Sequence, residues 1–209
     1  MPSIRPYRDD DHDALRAVCL RTGLHGIDAT GHWSTDDLLP DLYLSPYTSY
    51  APDRVLVVAD DADRPIGYLL VVPDTLAFVD WWRTEVTPFF ANTYPRLAEP
   101  TPDGRDEQWM HDLGYEPDRM IPADVGLDLE RFPAHLHIDL LPEAQGHGLG
   151  RALMRDAAAR LVADGVPGIH LAYDSANTGA AAFYDRLGWR PVSPGNEWVR
   201  VIEPERLLG

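Results

Sequence analysis

Apolar and polar positions follow two rhythms in this chain, and the clearest stretch of both runs from Ala134 to Arg160. Leu136, Ile138 and Leu140 alternate with His135, His137 and Asp139, the period-two pattern of a strand. After Pro142 and a turn carrying Gly146, Gly148 and Gly150, Leu149, Leu153, Ala157 and Leu161 recur every four residues, which predicts a helix that Gly165 stops. Gly168 to Tyr173 then predicts a second strand, parallel to the first through this crossover.

The rest of the chain reads by the same rules. Ser3 to Tyr7 suits a first strand, and Asp9-Asp10-Asp11 sits where a helix takes its N-cap and first-turn acids. Leu15, Val18, Cys19 and Thr22 give that helix an apolar stripe ending near Gly23. His25 and His32 fall in a Gly-rich connection without a companion at ligand spacing, and neither is given a role. Ser34 to Asp37 predicts a cap for a short helix through Leu42, and Pro46 to Pro52 reads as loop. Arg54–Ala59 and Ile66–Val72 are β-branched runs around a polar turn, hence a hairpin. Pro73 to Pro133 is broken by Pro and Gly and dense in aromatics: Trp81, Trp82, Phe89, Phe90, Tyr94, Trp109 and Tyr115. Most of these are expected to glue the segment to the core, with one or two left to wall a cleft. Asn177 and Thr178 open a last helix through Ala181, Tyr184 and Leu187, with Gly188 at its C′ position, and Glu197 to Ile202 alternates as a final strand.

Composition narrows the function classes. With 209 residues, 44% of them hydrophobic, the chain has enough for one domain with a substantial core, 1–209. A formal charge of −16 argues against a nucleic-acid partner, and every basic residue other than His is Arg. An acidic surface draws cationic partners such as amines, and equally keeps a protein soluble. No apolar run approaches the roughly 20 residues of a membrane helix, and the N-terminus shows no apolar leader, so a cytoplasmic protein is expected. Cys19 has no second cysteine to bridge and reads as a small buried hydrophobe.

A strand, a glycine turn and a helix N-terminus together make an anion site, because the first helical N–H groups lack partners and glycines let an anion approach. Gln145-Gly146-His147-Gly148-Leu149-Gly150 has the form Q/R-x-x-G-x-G/A. Asn177 to Trp189 has the form N-x-x-A-x-x-x-Y-x-x-x-G-aromatic. Together the two segments resemble the GCN5-related N-acetyltransferase (GNAT) superfamily. The chain is also similar, through IRPYRDDDHDAL, the LSPYTSYAPDRVLVVADDADRPIGYLL hairpin, the WW-rich segment, HLHIDL and FYDRLGW, to the acetyltransferase-like C-terminal domain of eukaryotic O-GlcNAcase.

The resemblance implies an α/β GNAT fold: a mixed, mostly antiparallel sheet, splayed at the acetyl-CoA site and flanked by helices. It makes 73–133 an insert before the pyrophosphate-loop strand, where a minimal member has a short turn. It implies acetyl-CoA as cosubstrate, with the Leu140 and Leu141 backbone pairing with the pantetheine arm. The amides of Gly146, His147, Gly148, Leu149, Gly150 and Arg151, behind Gln145, would cradle the pyrophosphate. Asn177 would hold the pantetheine, and Ala180 and Ala181 would leave room for it. Tyr184 falls where the family places the acid that protonates the leaving thiolate. Ala172 and Ala134 stand where relatives carry a catalytic Glu, so Asp139 and Asp174 are the candidate bases. His135, His137 and Asp139 share a strand face, but that spacing arises easily by chance and no metal is expected. The expected reaction is direct acetyl transfer to a primary amine, of a small molecule or peptide. The alternative is a weak or inactive acetyl-CoA-binding module. Acceptor identity and oligomeric state, a homodimer included, stay open.

Overall fold

In the computed structural model, which describes residues 2–97 and 107–209, one seven-stranded sheet runs in the order β1-β2-β3-β4-β5-β7-β6. Its strands are β1 (Ser3–Pro6), β2 (Val55–Ala59), β3 (Pro65–Val72), β4 (Ala134–Leu140), β5 (Ile169–Ala172), β6 (Arg190–Pro191) and β7 (Val199–Ile202). β1 to β4 are antiparallel neighbours, β4 and β5 are parallel, and β7 and β6 return antiparallel. The helices are α1 (His12–Thr22), α2 (Leu38–Tyr43), α3 (Ser45–Tyr50), α4 (Thr75–Thr93), α5 (Glu107–Tyr115), α6 (Leu149–Ala163) and α7 (Thr178–Arg186).

The pairing of β4 with β5 is what opens the sheet. It consists of Ala134 with Ile169 and His135 with His170, and stops there, although β4 continues to Leu140. The Ala134 amide donates to Gly168 O, on the β5 side, while the Leu141 amide donates to Ile66 O, on the β3 side. Main-chain groups alternate between strand edges, so Leu136, Ile138 and Leu140 turn theirs toward β5; Leu136 lies next to the last pair, His135 with His170, and beyond it Ile138 and Leu140 have no strand to meet. Side chains alternate between faces in the same way. Leu140 reaches Gly150 of α6, whereas Asp139 accepts from Tyr68 and faces Thr22 of α1. The two helices therefore cover opposite faces.

Several expectations are corrected. Pro46 to Pro52 is not a loop throughout: α3 starts with Pro46 in its first turn, where a missing N–H costs nothing, and it buries Pro46, Tyr47 and Thr48. Ser34 does not cap α2; its hydroxyl and amide both bond the buried carboxylate of Glu107 on α5. Asp11 likewise makes no cap for α1 and instead grips the Arg5 guanidinium through paired bonds at 2.7 Å, tying β1 to the helix.

Pro73 to Pro133, expected to be irregular, holds the longest helix of the fold. Phe78, Trp82, Val86 and Phe90 recur every four residues along α4, and all four are buried. Asp74 caps the helix by accepting from the Ala77 amide at 3.0 Å, and Pro88 lies inside it. Residues 98–106 of the expected insert lie outside the described residues. Among the described helices, none is long and apolar enough to cross a membrane.

Candidate active site

Where β4 and β5 part, a cleft of ≈ 750 Å³ opens between the end of β4, the glycine turn, α7 and the connection after α1. Ile138, Asp139 and Leu140 supply one wall, Gln145, Gly146 and the run from Gly148 to Arg151 the floor, and Asn177, Ala180, Phe183 and Tyr184 the far side.

The floor has the character of an anion site. Gly146 and Gly148 have φ of 77° and 76°, the left-handed region that favours glycine, and a Cβ on either would meet nothing within 4 Å. The Gly148 φ brings the chain into α6 without a side-chain cap. Among the described residues, none of the six amides from Gly146 to Arg151 has a hydrogen-bond acceptor; the first donor of the helix with a partner is Ala152, to Gly148 O. Six orphan donors, two glycine bends and the positive end of a 15-residue helix fit a pyrophosphate. Gln145 does not extend this row, since its Nε2 donates to Leu140 O at 2.8 Å and ties the turn to the strand. His147 is exposed and lies off the cleft wall.

The wall corrects the expectation at Leu141. Its amide is committed to Ile66 and its side chain is buried, so the main-chain groups that face the gap are those of Ile138 and Leu140. Asn177 is the N-cap of α7, its Oδ1 accepting from the Ala180 amide at 2.9 Å. This capping role is structural and leaves its amide nitrogen on the cleft side. Ala180 lines the cleft, whereas Ala181 does not.

Tyr184 is buried, packed edge and face among Tyr173, Phe183 and Trp189, and lines the cleft. Its hydroxyl has no hydrogen-bond partner among the described residues. Burial, reinforced by the charge of Asp139 and by Tyr173, raises its pKa, so the phenol is neutral and holds a proton to give. Asp139 keeps some surface on the cleft, with Tyr68 OH donating to its Oδ2 at 2.6 Å. Desolvation raises its pKa, and the hydroxyls of Tyr68 and Thr22 pull partly the other way. The carboxylate is thus a stronger proton acceptor than a solvated one.

Asp174 is not on the cleft wall. Its Oδ1 accepts from the Ala176 amide at 2.7 Å, and its Oδ2 lies 3.3 Å from His25 Nδ1. His25, expected to have no role, does line the cleft. Leu24 and Ile27 exchange main-chain bonds around it, and φ is positive at both His25 (54°) and Gly26 (92°), a two-residue hairpin turn of type I′. The His-Gly pair between Leu24 and Ile27 was the available signal, for Gly favours that turn.

His135 and His137 do not join Asp139 at the cleft. Nε2 of each lies within hydrogen-bond distance of the Tyr47 hydroxyl, at 3.2 and 2.9 Å, and His135 Nδ1 pairs with Thr75 Oγ1 at 2.7 Å. Among the described residues no group of three His, Cys, Asp or Glu is placed to hold a metal. The aromatics of 73–133 also stay off the cleft wall: Trp82, Phe90 and Tyr94 are core, while Phe89 and Trp109 face solvent. Cys19 is buried beneath the cleft, and burial pushes its thiol pKa up, the wrong direction for a nucleophile.

A splayed α/β sheet with an anion-binding glycine turn defines the class, and sequence comparison gives the family. The profile of the Acetyltransferase (GNAT) family matches residues 25–189, and the chain belongs to that family. It is similar to the crystal structure of SsHAT, with 37% identity and a TM-score of 0.87 over 97% of this chain and 98% of that one. A phosphinothricin acetyltransferase from Sinorhizobium meliloti, solved in complex with AcCoA, shares the fold at 16% identity and a TM-score of 0.54, over 97% of this chain and 88% of that one. A mycothiol acetyltransferase from Streptomyces griseus is 42% identical over 60 residues, which span 29% of this chain and 20% of that protein. The family's cosubstrate is acetyl-CoA.

Proposed function

We propose that this acetyltransferase moves acetyl directly from acetyl-CoA to a primary amine, without an acyl-enzyme. The observation that carries the reading is a proton donor and a proton acceptor lining one cleft: the neutral Tyr184 phenol and the Asp139 carboxylate of raised pKa. Bound acetyl-CoA supplies an activated acetyl thioester. The amides of Gly146 to Arg151 anchor its pyrophosphate, and the main chain at Ile138 and Leu140 aligns the arm in the gap that β5 leaves. Asp139 takes a proton from the ammonium form of the acceptor, which frees the nitrogen lone pair for attack. Tyr184 gives its proton to the departing sulfur as the carbon–sulfur bond breaks. The second proton shed by the nitrogen restores the phenol. His25, held by Asp174, forms the outer lip rather than the reacting centre.

The stretches similar to the O-GlcNAcase domain support kinship with it and carry no acceptor identity. An acidic protein and the Asp139 carboxylate favour a cationic amine of a small molecule or peptide.

The test is thiol release from acetyl-CoA across a panel of primary amines. With a responsive amine, Tyr184→Phe and Asp139→Asn are each expected to lower turnover by about 10² to 10⁴-fold while acetyl-CoA still binds. A Tyr184→Phe variant as active as the parent would overturn the assignment of the acid. A loss confined to His25→Ala, with Asp139→Asn unaffected, would move the base to the outer lip.

A further inference from the structure

β3 is buried along nearly its whole length, and a tyrosine in the middle of such a strand needs a partner for its hydroxyl. Tyr68 is fully buried, paired with Val57 of β2 on one side and standing opposite Asp139 of β4 on the other. Strands on both edges fix its backbone, so the ring has little freedom to shift. Its partner is the Asp139 carboxylate, with 2.6 Å from the hydroxyl to Oδ2. α1 packs on β3, and its Cys19 thiol sits beside the same hydroxyl.

A carboxylate in such surroundings is costly in its ionised form unless donors compensate it. The groups that face Asp139 are Tyr68 of β3, Cys19 and Thr22 of α1 and Tyr184 of α7, with His137 two positions away on its own strand and His25 at the lip of the cleft. Among the described residues, no arginine or histidine lies within ion-pair distance of it. The Thr22 hydroxyl gives its hydrogen to the Val18 carbonyl at 2.8 Å. Tyr68 is therefore the donor on which the charge of Asp139 chiefly depends. It occupies Oδ2 and leaves Oδ1 for the acceptor.

We infer that Tyr68 is a positioning residue for acetyl transfer: its hydroxyl fixes the Asp139 carboxylate by Oδ2, holds it in the ionised form and presents Oδ1 to the amine. The inference rests on Asp139 being the base of the proposed reaction. The proton leaving the ammonium group goes to Oδ1 and from there to the cleft. Burial and the charge of Asp139 raise the pKa of the Tyr68 phenol, which keeps its own proton throughout.

The pH profile of kcat/KM with a responsive amine tests this in wild type, Tyr68→Phe and Asp139→Asn. Loss of a hydrogen bond to the charged form raises the pKa of a carboxyl group. The acid limb of Tyr68→Phe should therefore lie about 1 to 2 pH units above that of wild type, the shift that one hydrogen bond to a charged group allows. Above the limb its turnover should return toward that of wild type, because the carboxylate is ionised again. Thr22→Val should move the limb less, and a larger shift there would give the role to Thr22 instead. A Tyr68→Phe profile lowered by one factor at every pH, or a limb that stays in place, would overturn the role of Tyr68 and leave Asp139 as the base. A limb that persists in Asp139→Asn would overturn the base and the inference with it. If Tyr68→Phe does not fold, wild type decides: its solvent-shielded Tyr68 hydroxyl proton, followed by NMR, should shift with the midpoint of the acid limb. A hydroxyl proton indifferent to that titration would overturn the inference.

Discussion

At the scale of single residues, buried polar groups divide into those that work at the cleft and those that hold the core, and the three histidines on β4 and β5 belong to the second kind. His135, His137 and His170 have ring centroids 6.3 and 5.8 Å apart and are joined to Tyr47, Thr75 and the Phe132 carbonyl. Burial pushes the pKa of His137 down to about 4 and that of His135 well below its ordinary value, the latter aided by repulsion from the other two rings. An unfolded histidine titrates near pH 6.5. Between about pH 6.5 and about 4 the unfolded chain therefore binds more protons, and stability must fall as pH drops through that window. For His137 alone this amounts to about 1 to 3 kcal/mol. His137→Phe keeps a ring against Tyr43 and Tyr47 and removes the titration. Its thermal midpoint should fall less than that of wild type between about pH 7 and about pH 4.5; parallel falls would show that the ring is not held neutral.

The same residues show what a sequence reveals of a site. The row from Gln145 to Gly150 and the Asn177 to Trp189 segment were legible because local spacing encodes a turn and two helix starts. His25 and Asp174 were not, since their pairing is made by tertiary packing across most of the chain. Leu141 was misassigned by one position: only the side on which its amide bonds distinguishes it from Leu140, and that depends on the register with β3.

At the scale of elements, the alternating or four-residue apolar patterns predicted β1 to β5, α1, α6 and α7. α3 and α4 were obscured by proline, which ends a helix in its middle and is harmless in its first turn. Once formed, α4 is fixed to α5 by a close approach at Gly114, whose carbonyl accepts from Thr87 Oγ1 at 3.0 Å. A Cβ there would lie 2.3 Å from the ring of Phe90, itself confined by Tyr94, His111 and Tyr115. Helix propensity favours Ala over Gly by about 1 kcal/mol, but overpacking costs about 1 to 3 kcal/mol and a ring so enclosed has little room to yield. Gly114→Ala is accordingly expected to lower stability in urea unfolding. A rise would mean that the two helices part readily.

At the scale of the whole molecule, the sheet itself makes the site. Pairing between β4 and β5 ends after two residues, which leaves the main chain at Ile138 and Leu140 facing a gap and points α6, by its N-terminus, at the same space. Membership of the Acetyltransferase (GNAT) family and likeness to SsHAT agree with that architecture. The central claim is that the glycine turn at the head of α6 holds acetyl-CoA, and the most direct measurement is a calorimetric titration of wild type and Gly148→Val with acetyl-CoA. A valine at φ 76° strains the turn and projects into the open floor. The account predicts micromolar binding by wild type, about −8 kcal/mol, and a loss of at least about 100-fold, or about 2.7 kcal/mol, in a variant that keeps its fold by circular dichroism. Undiminished binding by the folded variant, or none by wild type, would contradict it.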